Sequence, residues 1–174
     1  MTLFTRIANR LKREMHRQPY LLAVRGMLDT PPCPKGNNPF VLLSMVHHRD
    51  TLSYLAAAKS FIRFMKPERV ALVCDPTLTQ EDQAIIRQHI PHIEFYPATD
   101  FQNPRLPTGG TWERLQCITH LNQSAYVVQM DADTLTFGPM EEVLSANHAS
   151  TGFVIGEVPD QSILSLAQAS SETT

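Results

Sequence analysis

The sequence has few cysteines, no long apolar run and, in its last third, no lysine or arginine. The longest uninterrupted apolar stretches, such as 20–24 and 40–43, are far too short to span a bilayer. The basic amino terminus lacks the continuous apolar stretch of a secretory signal. Cys33, Cys74 and Cys117 form no C-x-x-C pair, and an odd number of cysteines argues against a disulfide scaffold. These absences predict a cytoplasmic protein with reduced thiols.

Charge is distributed very unevenly along the 174 residues, although the net charge is only −2. No lysine or arginine follows Arg114, whereas seven acidic residues do. The first 25 residues, by contrast, hold six basic residues and one acid, Glu14. This gradient argues against a nucleic-acid surface spread over the domain. An anionic ligand near the carboxyl half would need a metal ion or cations from elsewhere in the chain.

Strand-like and helix-like stretches alternate from residue 40 onward, which predicts an α/β fold with a mostly parallel sheet and flanking helices. The predicted strands and helices, in order, are 40–46, 51–65, 70–74, 79–89, 93–96, 111–122, 125–130 and a helix near Pro139. Residues 153–158 fit one more strand. We therefore divide the chain into a basic amphipathic helix with a Pro/Gly linker (1–39), an α/β domain (40–160) and a polar tail (161–174).

The most informative motif is Asp131-Ala132-Asp133-Thr134-Leu135, which directly follows the apolar strand predicted at 125–130. Two carboxylates two positions apart repel each other unless a cation lies between them. A divalent ion that prefers oxygen ligands, Mg²⁺ or Mn²⁺, satisfies this requirement, above all where it also bridges a diphosphate. The alternative is that the two acids only cap a turn, with Asp133 bonding the backbone beyond it.

The motif and the order of elements around it resemble the GT-A nucleotide-sugar glycosyltransferases, particularly the glycogenin-like and galactosyltransferase-like group. The resemblance covers roughly residues 40–157. It implies a Rossmann-like fold that binds a nucleotide-diphosphate sugar, most often a UDP-sugar, with Mn²⁺ or Mg²⁺ on Asp131 and Asp133. The nucleotide contacts that it implies are Ser44, His47, Arg114, Asp131 and Ala132.

Two of these contacts have plain structural alternatives. Ser44 could simply lie within the sheet, and the segment from His47 to Asp50 could be a polar turn that caps the next helix. Residues 108–111, Thr-Gly-Gly-Thr, could present backbone N–H groups to a phosphate or form only a flexible loop.

The chain also departs from the family at two points. Arg114 stands where the family usually has a lysine, and the second half of the family, with its acceptor contacts and further metal ligand, has no counterpart before Thr174. We therefore expect the amino-terminal, nucleotide-binding part of a glycosyltransferase, and no catalytic base or nucleophile is assigned. The alternatives are a non-catalytic nucleotide-sugar-binding domain and a phosphatase of the haloacid-dehalogenase type. The phosphatase would need a downstream lysine, and no lysine follows Lys66.

Residues 2–17 have the pattern of a narrow amphipathic helix, with an apolar line at Leu3, Ile7, Leu11 and Met15 among basic residues. Such a helix either docks on the acidic carboxyl half or lies on an anionic membrane. Docking is the simpler interpretation, and peripheral membrane contact is the alternative.

Overall fold

The computed structural model describes residues 19–20, 22–109 and 111–153. Its strands and longer helices alternate along the chain as the sequence predicts. In order they are β1 (Asn38–Val46), α1 (Thr51–Met65), β2 (Pro67–Cys74), α2 (Gln80–His89), β3 (Ile93–Pro97), α3 (Trp112–Leu121), β4 (Tyr126–Gln129) and α4 (Glu141–Ala149). Short 3₁₀ helices occupy Gly26–Asp29, His48–Asp50 and Ala98–Phe101.

The four strands form one parallel sheet in the order β3-β2-β1-β4. β1 lies between β2 and β4, so its backbone bonds on both sides. Residues of the flanking helices cover its side chains on both faces of the sheet. This double burial is why residues 40–43 form a continuous apolar run rather than an alternating one. The α/β class with a parallel sheet and flanking helices is confirmed.

Alternating residues of the central strands belong to two separate apolar clusters, one on each face of the sheet. Leu42 and Leu72 pack with α1, α2 and α4 in the larger cluster. Val41 and Leu43 pack with Cys117 and with other residues of α3 in the smaller cluster. Helices thus cover both faces of the sheet, and ligands of such parallel α/β sheets bind at the carboxyl ends of the strands.

Helix ends follow from local chemistry. Thr79 and Asp82 form a capping box at the start of α2, since the Thr79 hydroxyl accepts a bond from the Asp82 N–H and the Asp82 carboxylate accepts one from the Thr79 N–H. α1 ends where Lys66 adopts a left-handed conformation with φ of 47°. The chain can then turn at once into Pro67, the first residue of β2.

The predicted helix at 2–17 and the tail at 161–174 lie outside the described residues, as does nearly all of the predicted strand at 153–158; Phe153 itself is irregular. Of the residues described, none belongs to a helix that is both long enough and apolar enough to cross a bilayer.

Candidate functional site

Polar side chains gather where β1, β2 and β4 end. Because the three strands are parallel neighbours, their carboxyl ends lie at one edge of the sheet. His47 follows β1, Asp75 follows β2, and Asp131 comes two residues after the end of β4. This edge is the candidate functional site.

Asp131 is held by two side chains that approach one of its oxygens. Arg114 Nη1, from the first turn of α3, donates to Asp131 Oδ1 over 2.7 Å, and Gln129 Nε2 donates to the same atom over 2.9 Å. The Arg114 side chain is only 20% exposed, whereas that of Asp131 is 60% exposed. A largely buried cation thus orients an accessible carboxylate and leaves its second oxygen free of any recorded protein partner among the described residues.

Asp133 is exposed, and among the described residues its carboxylate has no hydrogen bond or ion pair. The turn is closed instead by Thr134, whose hydroxyl donates to the Asp131 carbonyl over 3.0 Å. Among the described residues, therefore, no hydrogen bond supports the alternative in which Asp133 caps the backbone beyond it. Ala132, between the two acids, packs against the larger apolar cluster and so anchors the motif to the core.

Ser44 has a structural role in this conformation. Its hydroxyl is fully buried and donates to the carbonyl of Met130 over 2.8 Å. Met130 N in turn donates to the Leu43 carbonyl, so β1 holds the residue immediately before Asp131. Ser44 therefore positions the D-x-D motif from within the sheet, which is the alternative considered for it above.

His47 and the neighbouring His48 each face a carboxylate. His47 Nδ1 lies 3.1 Å from Asp75 Oδ1, and His48 Nδ1 lies 2.7 Å from Asp82 Oδ2. Thr77 joins the two pairs, since its hydroxyl donates to Asp75 and accepts from the His48 N–H. The loop after β1 is thus held in place by the end of β2 and the start of α2, with both imidazoles partly exposed.

The two carboxylates in this network have shifted acidities. Burial raises the pKa of Asp75, but hydrogen bonds from Thr77 and the contact with His47 outweigh burial and leave it below its usual value. Burial likewise raises the pKa of Asp82, and bonds from His48 and Thr79 again bring the net shift downward. Both groups favour their charged forms, as partners of a histidine would.

The Gly-Gly loop before α3 is arranged differently from a phosphate-binding loop. The Gly109 N–H donates to Glu113 Oε1 over 2.7 Å, and Glu113 is buried. A buried side-chain oxygen of Glu113 therefore already accepts this N–H beside the helix start. Gly110 lies outside the described residues. The prediction that this loop presents N–H groups to a phosphate is therefore examined only at Gly109, whose N–H is already bonded to Glu113.

Sequence reasoning missed Gln129 and Asp75 as members of the site. Gln129 is the last residue of β4 and lies two positions before Asp131, on the same side of an extended chain. Asp75 directly follows an apolar strand in the same way that His47 does. A search for polar residues at the end of every predicted strand would have found both.

A divalent cation held by Asp131 and Asp133 would need further ligands from outside these two side chains. In the described parts of the chain, no group of three or more His, Cys, Asp or Glu side chains is arranged to hold a metal ion. Asp131 and Asp133 offer hard oxygen ligands from an exposed turn, which suits Mg²⁺ or Mn²⁺ bound through one or two carboxylates together with water and phosphate oxygens.

We expect Asp82→Asn to lower the free energy of unfolding by about 1–2 kcal/mol at neutral pH, because it weakens both the capping box and the bond to His48. The folded-state pKa of Asp82 is depressed, so its contribution is present above the unfolded pKa and is lost as pH falls through the folded value. The acid loss of stability below about pH 4 should therefore be smaller in the variant. Urea unfolding across pH measures this effect.

Glu81→Gln is the matched control, since Glu81 is an exposed acid in the same first turn of α2. Equal pH profiles for Asp82→Asn and the wild-type chain would show that the charge of Asp82 contributes nothing to stability, through either the capping box or His48.

Comparison with known proteins yields no match: no protein-family model fits the chain, and no curated protein is significantly similar to it.

Proposed function

We propose that this chain binds a nucleotide-diphosphate sugar, a UDP-sugar in the first instance, through Mn²⁺ or Mg²⁺ on Asp131 and Asp133, as the donor-binding part of a glycosyltransferase. The observation that carries the proposal is the pairing of Arg114 with Asp131. It unites a cation from α3 with an accessible D-x-D carboxylate at the carboxyl edge of a parallel sheet. The resemblance of the motif to GT-A enzymes adds the substrate class.

Charge balance supports the assignment. A diphosphate needs cationic partners, and no lysine or arginine follows Arg114 in the sequence. Arg114 and a divalent ion would together supply the positive charge that the acidic carboxyl half lacks. When bound, the metal would neutralise the diphosphate as leaving group.

The chain's own residues then have distinct roles. Asp131 and Asp133 would hold the ion, and Arg114 would orient Asp131 or donate to a phosphate oxygen. His47, oriented through Nδ1 by Asp75, would offer its remaining ring nitrogen to the nucleoside. Ser44 keeps β4 in register with β1 so that the two acids stand at the edge.

Calorimetry of the full chain with UDP and a panel of nucleotide sugars tests the proposal, in Mn²⁺ and in EDTA. We expect binding of the diphosphate nucleotides in Mn²⁺ and none in EDTA. Release of free nucleotide would assign transfer or hydrolysis, whereas binding without release would indicate a non-catalytic binding domain. Phosphate release without nucleotide preference would instead indicate the phosphatase, and the absence of any metal-dependent binding would refute the proposal.

A further inference from the structure

A groove lies beside α1, and part of its lining starts two residues after Asp133, at Leu135. It has a volume of about 990 Å³, and its walls include residues 30–37 and 135–137. Both walls are fixed to the domain. Cys33 N donates to the His89 carbonyl over 2.8 Å, and Thr136 N donates to Ser60 Oγ over 3.1 Å. The groove is therefore a formed feature of this fold.

Large apolar side chains are exposed along one wall. Phe137 is 86% exposed and Leu135 is 48% exposed, although each could have been polar at no cost to the core. Leu28, next to the groove residue Met27, is also exposed. A cluster of exposed apolar side chains around a groove marks an interaction surface.

The same groove carries only positive charge. Its lining contains three lysines and an arginine but no aspartate or glutamate. Lys59 is used within the domain, since its Nζ donates to the Thr30 hydroxyl and to the Pro31 carbonyl. Lys35, Arg63 and Lys66 are exposed, and no ion pair with a carboxylate involves them among the described residues. The ligand that fits is therefore both apolar and anionic.

We propose that this surface docks on an anionic phospholipid bilayer, with Phe137 and Leu135 entering the headgroup region and Lys35, Arg63 and Lys66 facing lipid phosphates. Further basic residues in the sequence before the groove segment favour a membrane over an acidic protein segment as the partner. Met27 lines the groove, and the chain that precedes it contains five basic residues between Arg6 and Arg17. The described end of that segment also exposes Leu22. Along the sequence, apolar and basic residues thus continue before the segment that lines the groove, and this composition suits contact with an extended anionic surface.

Sedimentation of the full chain with vesicles tests the proposal, using phosphatidylcholine with and without phosphatidylserine. We expect binding only with phosphatidylserine, weakening as salt is raised. The double variant Lys35→Gln/Arg63→Gln should bind roughly thirtyfold more weakly, since each basic residue near anionic lipid contributes roughly fivefold. Phe137→Ser should weaken binding roughly tenfold through lost apolar contact.

Matched controls come from exposed residues that do not line the groove. Arg49→Gln/Arg105→Gln removes the same charge, and Leu115→Ser removes an apolar side chain that is 47% exposed. Neither should change vesicle binding. In a Trp112→Phe background, brominated lipid should quench the tryptophan fluorescence of the Phe137→Trp variant. It should leave the fluorescence of the Leu115→Trp variant unchanged.

Three results would overturn the proposal. The first is that the chain does not bind vesicles containing phosphatidylserine. The second is vesicle binding that the groove variants leave unchanged but that deletion of residues 1–18 abolishes, because the amino-terminal segment would then bind alone. The third is a change of oligomeric state in Phe137→Ser without any vesicle binding, which would make a second copy the occupant.

Discussion

Asp133→Asn is expected to abolish metal-dependent binding of UDP while leaving the fold intact. The substitution exchanges a carboxylate for an amide of the same shape, so it removes the charge that a divalent ion requires. Loss of an outer partner of a metal site costs about 10–100-fold, so loss of a direct ligand should weaken binding by more than about a hundredfold. Calorimetry in Mn²⁺ measures the change.

Stability should hardly respond to this substitution. Asp133 is exposed and has no hydrogen bond or ion pair among the described residues, so the free energy of unfolding should change by less than about 0.5 kcal/mol. Glu142→Gln, which removes an exposed acid at the start of α4, is the control and should bind UDP as the wild-type chain does. If asparagine at both Asp131 and Asp133 left Mn²⁺-dependent binding intact, the metal site would lie elsewhere.

Gly36→Ala is expected to destabilise the protein by about 3 kcal/mol or more, at the upper end of the range for overpacking. A Cβ on Gly36 would overlap the backbone carbonyl of Lys66 and lie only 2.5 Å from the Pro67 carbonyl oxygen. These are backbone atoms at the tight connection from α1 to β2, and no side-chain rotation can move them away. Chemical denaturation monitored by circular dichroism measures the loss.

The destabilisation would come from separating two chain segments that hold each other. Gly36 N donates to the Pro67 carbonyl, and Asn38 N and Nδ2 donate to the carbonyls of Lys66 and Met65. Gly26→Ala is the control, because a Cβ there meets nothing within 4 Å. Equal stability of Gly36→Ala and Gly26→Ala would contradict this prediction. It would show that the proline-rich segment can move away from the α1–β2 connection at little cost in free energy.

The centres of the strands and helices could be read from sequence, and their limits could not. Apolar runs mark β1 and β2 where both faces of the sheet are covered, because a strand buried on both faces needs apolar residues at successive positions. β1, however, begins at Asn38 and β2 at Pro67, two polar or ring-constrained positions that a local pattern assigns to a linker. They join the sheet because Asn38 pairs with Pro67 across the α1 crossover, and such a pairing has no local signature.

The candidate site, too, could be predicted from the sequence only in part. The sequence by itself determined the α/β class, the apolar strand that ends in Asp131-Ala132-Asp133, and the absence of cations after Arg114, because these depend on composition and short-range order. Only the tertiary structure decided that Arg114 reaches Asp131 and that the Ser44 hydroxyl is used inside the sheet. These contacts depend on the order β3-β2-β1-β4, which sets the neighbours of each strand end and which arises from packing between distant segments.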